Sequence, residues 1–155
     1  MTAALITATF IGLAGLGYSA VLGFTGGDLY LHTSLGIFST LVTLLAHSMT
    51  MFYLLGKGRA VREAVTEGQL SPELYAAVAR ARRPVFSIAV IAMALTMAAA
   101  ILGGGVDTRT IPVTVHSVLA LSAIAANIAA LRTEVIAMVS STTIVAEVDR
   151  LLDPQ

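Results

Sequence analysis

His32, His47 and His116 are the only histidines in the chain, and two of them share one helical stripe. His32, Gly36, Thr40, Thr43 and His47 follow one another by four, four, three and four residues, the spacing of a single α-helical face. A rise of about 1.5 Å per residue sets the two histidines roughly 22 Å apart, too far to share one metal ion. A second stripe, His116, Ala120, Ala123, Asn127 and Glu134, is built alike. His32 and His116 each lie near the start of an apolar stretch, and Asn127 falls at the depth of His47. Stripes that face each other therefore build one His–His level and one His–Asn level. Two imidazoles from two helices at one depth are what axial ligation of haem iron requires, and Gly36 and Ala120 give a flat ring room.

The same side chains have plainer uses. His47 can hydrogen-bond Asn127 or a threonine and fasten two helices, worth about 1 kcal/mol. His32 and His116 can reach headgroups, Tyr30, Asp28 or Asp107. Copper or zinc at that pair needs a third ligand, for which Asp28 stands nearby. Met93 falls near the level of His47 as a weak axial partner; Met49, Met51, Met93 and Met97 otherwise serve as flexible core filling. Hydrolytic chemistry has no Ser/His/Asp set to rest on. Gly56-Lys57-Gly58-Arg59 lacks the GKS/T ending of a nucleotide loop and suits an anionic headgroup or phosphate. With no cysteine, disulfides, thiolate metal sites and iron–sulfur clusters are excluded.

The elements that must position these residues follow from composition. Of 155 residues, 57% are apolar and 12% charged, against roughly 45–50% and about 25% in soluble domains. Nine basic and nine acidic residues balance, leaving no global field for nucleic acid. Every charge lies outside four stretches, 2–25, 29–56, 84–106 and 111–131, each matching the roughly 20 residues that cross a bilayer as a helix. The expected fold is an all-α integral membrane protein, one domain, a four-transmembrane-helix bundle with short cytoplasmic helices. The first stretch lacks a basic n-region and a cleavage site and reads as a retained span. Lys57, Arg59, Arg62, Arg80, Arg82 and Arg83 crowd the 57–83 loop, and Arg132 and Arg150 follow the fourth span. The positive-inside rule then puts that loop and both termini in the cytoplasm of a bacterial inner (plasma) membrane.

Within the loop a short helix over 60–67 is expected to break at Gly68. Ser71-Pro72-Glu73 starts another, which runs to Arg83 before Pro84 begins or kinks the third span. Residues 132–155 keep a helical apolar period and read as an amphipathic tail. Gly12, Gly15 and Gly17, with Ala8 and Ser19, make small-xxx-small spacings for a helix contact within the chain or between copies. No internal repeat stands out.

The arrangement resembles the four-helix membrane b-type cytochromes, in which one helix carries two histidines about four turns apart and serves a haem near each surface. His32 and His47 have that relation. The likeness covers the second and fourth spans and departs in having three histidines where two haems want four. An inner haem at His47 is then left with Met93, Met97, water or nothing as its other ligand. The reading this implies is a small b-type haem-binding membrane protein in electron transfer or quinone-linked redox, an electron carrier rather than a stand-alone catalyst. Membrane lipids, and a homo-oligomer or larger complex, are its expected partners, with quinone or lipid as a further ligand. A cofactor-free scaffold or assembly subunit is the alternative. A transporter or channel is the weaker one, because no span carries an acidic residue or a broken-helix pair.

Overall fold

Where the apolar stretches end, the helices do not. The computed structural model describes residues 1–153, as four helices: α1 (Thr2–Thr25), α2 (Leu29–Glu67), α3 (Pro72–Asp107) and α4 (Val113–Leu152). The separate cytoplasmic helices expected at 60–67 and 72–83 are continuations of α2 and α3, and the expected tail is the far half of α4. Pro154 and Gln155, the last residues of that tail, lie outside the described residues. The reason is visible in the packing. Val61, Val65, Val78 and Val148 keep the buried stripe going beyond the charges and form a small core with Leu70 and Tyr75. Gly58 does not break α2; its bare Cα lies against the Arg82 guanidinium, which also stacks on Tyr75. Pro84 sits inside α3 without an N–H for the preceding turn.

The ends follow local chemistry. Asp28 accepts a hydrogen bond from the Leu31 N–H at 2.8 Å and starts α2. Gly26 closes α1 at φ 65°, a left-handed conformation that suits glycine. Ser71 caps α3 with Pro72 directly after it, as its sequence foretells. All four helices are long and apolar enough to cross a membrane. Phe10, Phe24, Phe38, Phe52, Leu41 and Leu45 stand exposed on the outside of the bundle.

Gly12 and Gly15 make contacts within the chain. A Cβ at Gly12 would strike Thr43, with the Thr43 backbone N 3.1 Å away, and one at Gly15 would strike Ser39; Gly17 faces open space. Gly12→Leu is therefore expected to push α1 off α2 at a cost of about 1–3 kcal/mol, read as a lower unfolding midpoint in detergent. A changed oligomeric state at unchanged stability would assign the glycine to a contact between copies instead.

Burial uncovers a repeat that the sequence hid. Leu5, Thr9, Gly12 and Ser19 are the buried positions of α1, and all recur as buried positions of α3 displaced by 80, as Val85, Ala89, Ala92 and Ala99. Ser39, Thr43, Ala46 and Thr50 of α2 recur, displaced by 84, as Ala123, Asn127, Ala130 and Glu134 of α4, all buried. The same displacement carries His32 onto His116. The chain is thus two helical hairpins in one register, α1–α2 and α3–α4. Its sequence traces, such as Leu31-His32-Thr33 beside Val115-His116-Ser117 and Leu22-Gly23 beside Leu102-Gly103, are too short to notice unaided.

Candidate functional site

Between the hairpins, toward the end bearing the two short connections, lies a cavity of about 340 Å³. Small residues from all four helices open it: Gly23, Gly36, Gly103 and Ala120 are among its lining, with Thr40 and Thr96 deeper in. His32 and His116 line it from opposite hairpins, half-buried, with ring centres 6.2 Å apart and planes at 87°.

Each ring is held in the same way. His32 Nδ1 lies 2.7 Å from the Ser19 carbonyl of α1, and His116 Nδ1 lies 3.1 Å from the Ala99 carbonyl of α3. A carbonyl can only accept, so both Nδ1 atoms carry the hydrogen and both Nε2 atoms of the neutral rings keep a lone pair. Ser19 Oγ donates to the His32 carbonyl at 2.9 Å, closing a reciprocal clamp. Gly23 and Gly103 lie against the two Cε1 edges, where a Cβ would come within 3.0 and 3.1 Å. Ser19 and Ala99, like Gly23 and Gly103, are partners under the displacement of 80.

A turn or two deeper the hairpins differ, and a polar node joins all four helices. His47 Nε2 donates to Asn127 Oδ1 at 2.8 Å, and His47 Nδ1 lies 2.6 Å from Glu134 Oε1. Asn127 Nδ2 donates to Thr96 Oγ1 and to the Ala123 carbonyl at 2.8 and 2.7 Å, which fixes the amide and leaves Oδ1 to accept. Thr96 in turn donates to the Ala92 carbonyl at 2.7 Å. Thr9 donates to Glu134 Oε2 at 3.4 Å and to the Leu5 carbonyl at 3.1 Å. None of these side chains is more than 1% exposed.

The expected residues therefore sort by level. His32, Gly36, Thr40, His116 and Ala120 line the cavity; Thr43, His47 and Asn127 lie below it. The His47–Asn127 hydrogen bond is present as anticipated. Both ring nitrogens of His47 are engaged, so a metal ligand there would have to displace one partner. Met93 meets Ser48, whose hydroxyl lies 3.7 Å from its sulfur. Asp28 caps α2 and Tyr30 is exposed, while Asp107 lines the cavity.

One expectation is corrected. Glu134, placed beyond the fourth span, is buried inside the bundle, because α4 continues through Arg132 with the arginine turned outward and Glu134 inward. Its place on the His116–Asn127 stripe was the available signal; Thr9 and Thr96 had none. Against known proteins the chain matches no family model, no curated protein and no solved structure.

Proposed function

We propose that this is an integral membrane protein, its basic end in the cytoplasm of a bacterial inner membrane, that holds one b-type haem between its hairpins. His32 and His116 are the axial ligands. The observation that carries this is the matched pair of histidines in the cavity, each tethered through Nδ1–H to a backbone carbonyl, with Nε2 available.

That tether is the usual support of a metal-bound imidazole, fixing tautomer and ring orientation. The two ring centres lie 6.2 Å apart at one level of the cavity, so both imidazoles could serve a single group held there. Among the described residues no cluster of three or more His, Cys, Asp or Glu side chains could hold a bare ion. Two imidazoles are what a macrocycle-held iron asks of the protein. Bound there, haem supplies one-electron chemistry. The chain's own part is to orient two imidazoles, keep Gly36, Ala120, Gly23 and Gly103 small beside them, and exclude water with the surrounding apolar helices. A role as electron carrier, alone or within a larger complex and with quinone as partner, follows from that chemistry.

Absorption spectroscopy tests it. Protein expressed with haem available should purify with a Soret band and a reduced-minus-oxidised spectrum of two imidazole ligands. A colourless protein would overturn the reading and leave the scaffold alternative.

A further inference from the structure

Below the cavity, the geometry points to the His47–Glu134 pair as a proton-binding site, one proton held between two buried groups. This does not depend on haem occupying the cavity.

The proton inventory follows from the hydrogen bonds. Asn127, held by Thr96 and the Ala123 carbonyl, presents only Oδ1, so His47 Nε2 carries a hydrogen. An Nδ1 lone pair and a carboxylate oxygen would repel at 2.6 Å, so a second proton lies between them. Held as imidazolium and carboxylate or as imidazole and acid, the pair is neutral. Release of the shared proton to solvent leaves neutral His47 and the Glu134 carboxylate; nothing is oxidised or reduced. Each exchange therefore changes the charge buried below the cavity by one, and the charge of whatever the cavity holds biases it.

Asn127 and Thr96 stand between the pair and the cavity, which Thr96 also lines. Toward the basic end, Leu54 and Met138 follow on the same helix faces and close a core with Leu5, Val85 and Ala137. On that side Thr50 and Ser141 add buried hydroxyls without hydrogen-bond partners among the described residues. Among the described residues no other titratable group bonds to the pair: α1 presents Thr9, α3 presents Thr96, Arg132 of α4 is exposed, and Tyr53 of α2 bonds Thr2. Ionisable groups at such depth are costly, and their retention is a mark of use.

Imidazole-¹⁵N-labelled protein in lipid nanodiscs, with the His47 signal assigned by its loss in His47→Asn, tests the site by NMR from about pH 5 to about pH 10. The expected result is one step at Nδ1, from a nitrogen that shares the proton to one with a free lone pair, while Nε2 keeps its own hydrogen. Glu134→Gln should abolish the step. A His47 signal unchanged over the range, or the same step in Glu134→Gln, overturns the proton site. A colourless protein that shows the step retires the haem alone; a Soret band without the step retires the proton site alone.

Discussion

Glu134→Leu is expected to destabilise the bundle by about 3–5 kcal/mol, the cost of leaving one partner of a buried pair without the other. The loss is more than one contact. His47 is fully buried and Glu134 1% exposed, with the carboxylate also taking the Thr9 hydroxyl from α1. A leucine there leaves His47 Nδ1 without a partner and keeps only the His47–Asn127 bond of the node between the α1–α2 hairpin and α4. Replacing both members, as His47→Leu with Glu134→Leu, should recover much of the deficit, because apolar side chains of similar volume remove the desolvation cost along with the pair. Unfolding midpoints in detergent decide the matter. A single variant as stable as the parent would show that the node does not hold the helices together.

His32→Ala and His116→Ala are each expected to lower the haem retained through purification by at least tenfold. Loss of a mere supporting group around a metal ligand already costs roughly 10–100-fold in affinity, and these variants would remove a proposed ligand itself. The two should behave alike, since the rings have corresponding anchors at Ser19 and Ala99 and corresponding glycines at their edges. Quantifying haem per protein by its pyridine complex reads the effect. A variant that retains full haem removes its histidine from the ligand set.

The upper level of the site was legible in the sequence because it depends on helical period alone. Four-residue steps put His32, Gly36 and Thr40 on one face, and the apolar stretches set the depth of His116. The lower level was half legible. His47 and Asn127 could be matched by depth, but charge count ended the fourth span at Leu131 and pushed Glu134 outside. Hydropathy averages over a helix, whereas burial is decided residue by residue: Arg132 faces out and Glu134, two positions on, faces in. Thr9 and Thr96 were illegible for another reason. Threonine hydroxyls are frequent in apolar helices and usually bond their own backbone, so nothing local marks the two that reach across.

The register shared by the two hairpins carries a consequence for how the chain assembles. Under the displacement of 84, Asn127 and Glu134 correspond to Thr43 and Thr50, and His47 corresponds to Leu131. The cavity histidines are common to both halves; the lower node is divided between them. Two copies of α1–α2 meeting each other would set imidazoles opposite threonines, with no carboxylate. Two copies of α3–α4 would bury two glutamates opposite leucines, an arrangement that unpaired charge penalises heavily. Thr43 and Thr50, whose hydroxyls lack partners among the described residues, mark the side on which the complementary contact is missing. The lower node thus acts as a lock and key for pairing unlike halves, discriminating against the symmetric mismatch that the upper level would accept.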